Sequence, residues 1–342
     1  MTALARILQR RTFLRSLGLI VVAAIALAVL STFLSAYNDL QLANGAYYFA
    51  ALAGLTVLAG LAGQISLGHG ALMAVGAYTV ALLVGNEGWA ELPAVVAAVV
   101  VTAAVGVPVG AAASRLRGPY LAGATLAFAV GLPALADRFP GTFGGENGLT
   151  INPPIPPGFL GANFPLERWE AWIACAGALV VLFVLYNLIH SGAGRSLRAV
   201  REDEIAASLC GLRIGRMQTV AFVISAGCAG LAGALLALVL QLAQPGAFPL
   251  QLSLSLLTGI VLGGLGSLVG AVWGAALLVL LPNWSNDLAN SFSLSTRVSA
   301  NLPLAIYGVV LIAAMLVWPS GIQGGVRALS GSLRRRRLSR RA

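Results

Sequence analysis

The chain has 342 residues, of which 58% are hydrophobic and only 9% are charged. A soluble domain averages about 25% charged residues, so this composition excludes an ordinary soluble protein and predicts an all-α, polytopic integral membrane protein. The 21 basic side chains behind the net charge of +10 are all arginines. They gather in short loops and at the C-terminus, which suits an anionic membrane surface and argues against nucleic-acid binding.

Apolar runs predict about ten transmembrane helices, because each span needs roughly 20 apolar residues. They lie near residues 17–35, 40–62, 67–85, 92–113, 119–136, 170–190, 217–243, 250–265, 267–282 and 301–318. The first run follows several arginines and superficially resembles a secretion signal, but it is long enough to span and further spans follow it. We therefore predict a short cytoplasmic N-terminal segment, 1–16, a transmembrane domain, 17–318, and a basic cytoplasmic tail, 319–342.

The arginine distribution decides whether the last part of this domain contains one long helix or two. With a break at the sequence GGLGS, residues 263–267, every arginine except Arg138, Arg168 and Arg297 falls on the cytoplasmic side. An unbroken helix would put the arginine-rich tail outside, against the positive-inside rule. We therefore expect two short helices or a re-entrant hairpin there, with both termini on the cytoplasmic side of a bacterial inner membrane.

This topology places the loop 137–169 in the periplasm and the loop 191–216 in the cytoplasm. The outer loop is rich in glycine and proline, which excludes a long helix and predicts an irregular cap. It is either a contact surface for an extracytoplasmic partner or only a closure of the outer face of the protein.

The predicted spans carry no arginine or carboxylate near their centres. Such a charge costs about 2.5–3.5 kcal/mol and usually marks a proton or ion pathway, so its absence argues against a proton-coupled carrier. The energy for any transport is expected from elsewhere. The three cysteines are isolated, and His69 and His190 are far apart, so neither a metal site nor a catalytic cluster is predicted.

A first glycine-rich stretch, GLAGQISLGHGALMAVGAYTVALL, occupies residues 60–83. Its glycines allow close approach of helix backbones, and a helix break here frees polar backbone that must face protein or a watery cavity. The stretch is either a tight helix–helix turn whose polar groups satisfy one another or part of a substrate path. The candidate path residues are Gly63, Gln64, Ser66, Gly68, His69 and Gly70.

A second glycine-rich stretch, GIVLGGLGSLVGAVWGAALLVLLP, occupies residues 259–282. By the predicted topology, its break lies on the same side of the membrane as the first one. The two breaks either face each other along one pathway or only pack closely. The candidate residues are Gly263, Gly264, Gly266 and Ser267.

The stretch GRSLRAVREDEIAASLCG, residues 194–211, concentrates charged residues in an otherwise hydrophobic chain. The acids suit the first turn of a short amphipathic helix, where the helix dipole favours negative charge, and Gly211 is placed to end that helix. A docking helix for a soluble partner explains the cytoplasmic acids better than an ordinary solvated loop does. The candidate residues are Arg195, Arg198, Arg201, Glu202, Asp203, Glu204, Ala206 and Gly211.

Three blocks of the sequence resemble the LivM-type permeases of branched-chain amino-acid ABC importers. They are GQISLGHGALMAVGAYTVALL, RSLRAVREDEIAASLCGLRIGRMQTVAFVISAGCAGLAGAL and LGGLGSLVGAVWGAALLVLLP. The outer FGGENGL is also similar to a segment of that family, although Phe143 stands where threonine is expected. The likeness runs from about residue 40 to residue 318, and the central block is its most specific part.

The resemblance implies an ABC-importer permease fold and a transport subunit without catalytic residues. It implies a second related permease, two ATP-binding subunits and a periplasmic solute-binding protein as partners, with the loop 191–216 docking on an ATPase. The chain has no Walker motif, so ATP and magnesium are expected on the partner subunits and no cofactor on this chain. Branched-chain or other neutral amino acids are the expected solutes, and urea or short-chain amides remain an alternative. A stand-alone channel, a secondary carrier and a membrane-embedded enzyme are the competing classes.

Overall fold

The computed structural model describes residues 3–116, 119–161 and 164–291, together with short pieces between residues 305 and 325. Nearly all regular structure in this part of the chain is helical. The longer helices are α1 (Ala3–Phe33), α2 (Ala36–Leu55), α3 (His69–Val80), α4 (Glu91–Ala113), α5 (Pro119–Arg138), α7 (Leu166–His190), α10 (Ile214–Leu240), α11 (Leu250–Gly263) and α12 (Leu268–Ser291). The shorter ones are α6 (Pro140–Phe143), α8 (Gly192–Glu202) and α9 (Glu204–Leu209). A π-helical turn, Thr56–Leu61, extends α2, and another, Ala81–Asn86, extends α3.

The prediction of an all-α polytopic membrane protein is confirmed. Within the described residues, eight helices are long and apolar enough to cross a membrane, and Leu17–Phe33 of α1 is a shorter apolar helix. These correspond to nine of the ten predicted spans. The tenth, 301–318, and most of the basic tail lie outside the described residues. The segment 1–16, predicted to precede the first span, is helical from Ala3 and continuous with α1.

The helix α10 lies at the centre of the bundle, where it packs against α2, α3, α4 and α7. Small residues allow the close approach of α10 to α4. A Cβ atom on Gly230 would lie 2.5 Å from the Cβ of Thr102 on α4, and one on Gly106 would lie 2.6 Å from the Cβ of Ala226. Real Cβ atoms do not approach so closely, so these glycines bring the two helix backbones together.

The segment around GGLGS is broken, as the arginine distribution predicted, and it forms two helices. The first reaches spanning length only together with the 3₁₀ turn that precedes it, over Pro245–Gly263. The first ends at Gly263, the second begins at Leu268, and the two helices pack against each other. Gly263 is placed so that any side chain would overlap the backbone carbonyl of Gly270. The glycines of this stretch therefore hold the helix pair together at its turn.

The loop 137–169, which the sequence predicts to lie in the periplasm, is irregular, as expected. Between α5 and α7 the described residues form only α6, two 3₁₀ turns and the two-residue strand β1 (Leu149–Thr150). This strand pairs antiparallel with β2 (Leu242–Ala243), which follows α10, with Leu149 opposite Ala243. The ribbon ties the loop to one end of the central helix, and α8 and α9 lie at the other end.

Candidate functional site

One end of the bundle brings together the regions that carry the predicted site residues. They are the α8–α9 segment, the loop of residues 62–68 between α2 and α3 (the break loop), and residues 264–267 between α11 and α12 (the hairpin turn). A Cβ atom on Gly60, in the π-helical turn that ends α2, would lie 2.5 Å from the backbone nitrogen of Gly266. The two glycine-rich stretches therefore meet at one end of the bundle, with their backbones in direct contact.

The helix α8 folds back across the end of α7. Ser191 is its N-cap, and the Ser191 hydroxyl accepts a hydrogen bond from the backbone N–H of Gly194 at 3.3 Å. Leu197 and Val200 are buried against the protein, and charged side chains occupy the rest of the helix surface. The helix is therefore amphipathic, as the charge pattern predicted.

Two arginines of α8 bond to the end of the preceding span. Arg195 Nη1 lies 3.4 Å from the carbonyl oxygen of His190, and Arg198 Nη2 lies 2.7 Å from that of Ile189. Carbonyl groups at a helix C-terminus lack partners within the helix and carry partial negative charge, so arginines stabilise them. In the structure these two side chains hold α8 against α7.

The third arginine reaches a different span. Arg201 donates a hydrogen bond from Nη1 to the carbonyl oxygen of Gly60. Its aliphatic stem crosses the break loop, where a Cβ atom on Gly63 would lie 3.0 Å from Arg201 Cγ. Because Gly60 also touches Gly266, the contact connects α8 to α2 and, through α2, to the hairpin turn.

A break at Asp203 separates α8 from α9. Its backbone is extended, and its Oδ1 accepts hydrogen bonds from the backbone N–H groups of Ile205 at 2.8 Å and Ala206 at 3.0 Å. The charge pattern of the sequence predicts all three acids in the first turn of one helix. Instead, Glu202 ends α8, Asp203 caps α9, and Glu204 begins it. The physical reason is that an aspartate carboxylate competes with the helix for the backbone donors that follow it.

Gly211 terminates α9, as predicted: it follows the last helical residue, Leu209, and the C-cap Cys210. Gly211 has φ +83°, its N–H donates to the carbonyl of Ser208 at 2.9 Å, and the N–H of Leu212 donates to that of Ala207 at 3.1 Å. This pair of bonds is the Schellman motif, which needs a residue in the left-handed conformation. Glycine adopts that conformation without steric cost.

The outward surface of α9 is apolar at two positions. Ile205 is 74% exposed and Leu209 is 84% exposed, whereas Ala207 is buried against the protein. The two large side chains are four residues apart and so share one helix face. In this position they are available to a partner that covers the end of the bundle.

The break loop is held by hydroxyl groups from two other helices. The backbone N–H of Leu67 donates to Thr125 Oγ1 on α5 at 3.0 Å, and that of Gly70 donates to Ser253 Oγ on α11 at 2.9 Å. A Cβ atom on Gly68 would lie 2.9 Å from the carbonyl oxygen of Thr125. The polar backbone freed by the break is thus satisfied by protein groups.

Ser66 and His69 are buried beside this loop. Ser66 Oγ accepts a hydrogen bond from the N–H of Gly68 at 3.3 Å, and His69 Nε2 lies 3.0 Å from the carbonyl oxygen of Ala51. Both side chains bond to nearby backbone, but the buried His69 Nδ1 has no hydrogen-bond partner among the described residues. The tight turn and the substrate path therefore both stay predictions.

The hairpin turn is built from backbone conformations that favour glycine. Gly264 has φ +120° and Gly266 has φ +81°, both in the region that other residues rarely adopt. Ser267 Oγ accepts a hydrogen bond from the N–H of Gly270 at 3.4 Å and so caps the start of α12. These residues shape the turn that meets α2.

A cavity of about 870 Å³ opens beside the α8–α9 segment. Its wall comes from the break loop, the end of α4, the start of α5, the α8–α9 junction and the start of α10. The predicted site residues that line it are Gly63, Gln64, Arg201, Glu202 and Glu204. Among the described residues, its wall does not include Ser66, Gly68, His69, Gly70 or any residue of the hairpin turn.

Three residues that position this end of the bundle were not predicted from the sequence: Thr125, Gln218 and Ser253. Gly60 lies in the first glycine-rich stretch, and its contact with Gly266 is the close backbone approach expected of those glycines. Thr125 is a lone aliphatic hydroxyl residue in an apolar span, and Ser253 lies in a span that also contains Ser255 and Thr258. Hydroxyl groups in such spans could have indicated partners for a helix break. Gln218 donates from Nε2 to Glu204 Oε1 at 3.0 Å, and nothing in its sequence context predicted that bond.

The opposite end of the bundle carries a polar cluster. Arg168 Nε lies 3.4 Å from Asp39 Oδ2, and the Asp39 side chain is 1% exposed. Nearby, Trp172 Nε1 donates to Ser31 Oγ at 2.9 Å. These contacts fasten α7 to α1 and α2 at the end where the β-ribbon lies.

Residues 37–316 match the family model described as "Branched-chain amino acid transport system / permease component". The chain belongs to this permease family. The family consists of multi-span membrane subunits of transporters, not enzymes, and membership agrees with the helical architecture and with the resemblance found in the sequence.

Individual relatives agree with the family match. This permease is 33% identical over 332 residues to the high-affinity branched-chain amino acid transport system permease protein LivM of Escherichia coli, covering 89% of this chain and 74% of the relative. It is 26% identical over 299 residues to LivH of the same organism, covering 82% and 92%. It is 28% identical over 274 residues to the E. coli ribose import permease protein RbsC, covering 75% and 78%. No solved structure gives a significant match.

Proposed function

We propose that this permease is one of two membrane-spanning subunits of an ATP-driven importer for branched-chain or other neutral amino acids. The α8–α9 segment docks on an ATP-binding subunit and passes its movement to the membrane helices. ATP and magnesium are bound by that partner, and this chain contributes no catalytic residue.

One observation carries the proposal: the α8–α9 segment has contacts suited to both tasks. Its outer face presents Ile205 and Leu209, and an exposed apolar pair at the end of a helical bundle favours contact with another protein. Its inner face holds Arg201 on Gly60, so a displacement of the segment reaches α2 and the hairpin turn. A solvated loop would need neither contact.

The relatives support a second permease as partner. LivM and LivH are both named as permease proteins of a high-affinity branched-chain amino acid transport system, and this chain matches each of them over most of its length. A related chain is therefore the natural second half of the membrane domain. We propose two ATP-binding subunits at the α8–α9 end and a solute-binding protein at the end of the β-ribbon.

The proposed orientation puts the α8–α9 end and both chain termini in the cytoplasm of a bacterial cell. The charges support it, because the arginines of α8 and those in the N-terminal part of α1 then lie on the same inner side. Maleimide labelling of Ser208→Cys and Thr150→Cys, with the native cysteines replaced, tests this orientation in intact cells. Labelling of Ser208→Cys by a membrane-impermeant reagent from outside would reverse it.

The amino-acid solute is supported by the names of the relatives that cover most of the chain. The ribose permease shows that a protein of similar sequence carries a different solute, and urea or short-chain amides remain the alternative. The deciding experiment reconstitutes this chain with its second permease and ATP-binding subunits in vesicles and supplies the binding protein outside. ATP-dependent accumulation of leucine or valine supports the proposal, whereas accumulation of only urea, acetamide or ribose rejects the solute. Accumulation by this chain alone, without ATP, rejects the importer.

A further inference from the structure

The cavity beside the α8–α9 segment has the walls of a ligand site. Its volume of about 870 Å³ falls within the range of about 300–1,000 Å³ that is usual for small-molecule pockets. Five separate parts of the chain converge on it, from residue 62 to residue 218. Because the charged α8–α9 junction forms one wall, a ligand here would contact the segment proposed to dock on the ATPase.

A buried amide without a partner lies in this wall. Gln64 is 5% exposed, and its side-chain oxygen has no hydrogen-bond partner among the described residues. The oxygen itself has almost no accessible surface, so a ligand in the cavity reaches it only after the side chain turns outward. The amide of Gln218, in the same wall, is already used by its bond to Glu204.

The charges around the cavity have both signs. Arg201 uses Nη1 for Gly60, and a guanidinium has five N–H donors, so further donors remain for a carboxylate. Glu202 supplies a carboxylate acceptor at the same junction. The remaining wall contains the aliphatic side chains of Leu116, Leu121 and Ile214. A cation, an anion and an apolar surface together match a small zwitterion with an aliphatic side chain.

We infer that this cavity binds a neutral aliphatic α-amino acid from the α8–α9 side of the membrane. Its carboxylate faces Arg201, its ammonium group faces Glu202, and its side chain faces the aliphatic wall. The inference rests on the proposed function for the identity of the solute, which at this end of the bundle is the released product.

Protection of a cysteine from labelling tests the site directly. Ser114 lines the cavity, whereas the exposed Ala112 at the same end of α4 does not. In the assembled complex, with Cys175, Cys210 and Cys228 replaced by alanine, L-leucine should slow maleimide labelling of Ser114→Cys severalfold and leave Ala112→Cys unchanged. Isoamylamine and 4-methylpentanoate each lack one charge of the zwitterion and should protect much less. Equal protection by all three compounds, or by none, overturns the inference.

A cavity-filling variant provides the matched control. Ala122 lines the cavity, whereas a Cβ atom on the adjacent Gly123 would meet nothing within 4 Å. Ala122→Phe should abolish leucine protection of Ser114→Cys, and Gly123→Ala should preserve it, provided both complexes still contain the ATP-binding subunits. Protection that survives Ala122→Phe overturns the inference.

The uptake assay separates this inference from the proposed function. Leucine uptake without leucine protection overturns the site and leaves the importer standing. Leucine protection without leucine uptake overturns the proposed solute and leaves the site standing. Absence of both results overturns both proposals.

Discussion

Arg201 on α8 donates a hydrogen bond to the carbonyl oxygen of Gly60, which lies in the turn that ends α2. Gly60 in turn lies directly against Gly266 of the hairpin turn. The chain of contacts therefore runs from the charged α8–α9 segment through α2 to the pair of helices α11 and α12. Each link is a backbone contact or a bond to backbone, so the path depends on small residues and on one arginine.

Gly60→Ala should weaken this path. The added Cβ would lie 2.5 Å from the nitrogen of Gly266, so α2 and the hairpin turn must separate, and overpacking of this kind costs about 1–3 kcal/mol. Gly45→Ala is the matched control on the same helix, because its Cβ would meet nothing within 4 Å. Thermal unfolding in detergent should show a lower Tm for the first variant only, and the reverse order would contradict the contact.

The sequence predicted the helices well because hydrophobic length and arginine distribution are properties of the chain itself. It predicted the end of α9 at Gly211 for the same reason, since a local turn motif has a local signal. It wrongly placed Glu202, Asp203 and Glu204 in one helical turn. The sequence does not show whether the Asp203 carboxylate caps a new helix or the first helix continues through it. It named Arg201 as a site residue but did not predict the hydrogen-bond acceptor of that side chain. The acceptor, the carbonyl of Gly60, is 141 residues away, and one sequence carries no signal for such a pairing.

The apolar face of α9 should determine binding of the ATP-binding subunit. Replacement of both Ile205 and Leu209 by serine removes two large exposed side chains and should lower the amount of ATP-binding subunit that co-purifies with the permease. Because the side chains are exposed, the stability of the isolated permease should stay within about 0.5 kcal/mol. Ser208→Ala on the same helix serves as the control. Normal co-purification of the double variant would exclude this face as the docking surface.

Gly211→Val should loosen the end of α9. A Cβ atom here would meet nothing within 4 Å, so the cost comes from φ +83° alone, and a β-branched residue resists that conformation by about 1–2 kcal/mol. Gly211→Asn should cost less, because asparagine tolerates the left-handed region. Solute-stimulated ATP hydrolysis should fall in the order glycine, asparagine, valine. Equal rates for the two variants would show that the conformation does not matter.

Arg168→Ala should destabilise the opposite end of the bundle. It leaves the buried carboxylate of Asp39 without its cation, and loss of one partner of a buried pair costs about 3 kcal/mol. The double variant Asp39→Asn with Arg168→Ala should recover part of the loss, because a neutral amide is cheaper to bury than a charge. Thermal unfolding of the permease measures both effects. A double variant no more stable than Arg168→Ala would show that the charge is not the cause.

The most direct test of the account is ATP-driven leucine uptake by the reconstituted complex carrying Arg201→Ala. Arg195→Ala is the control, because Arg195 bonds only to the end of α7 on the same side of the protein and an exposed interaction contributes about 0–1 kcal/mol. The account predicts that Arg201→Ala retains its ATP-binding subunits but loses most leucine accumulation per ATP hydrolysed, that Arg201→Lys restores part of it, and that Arg195→Ala behaves like the unmodified protein. Unchanged accumulation per ATP in Arg201→Ala would contradict the claim that this contact transmits the movement of the ATPase to the membrane helices.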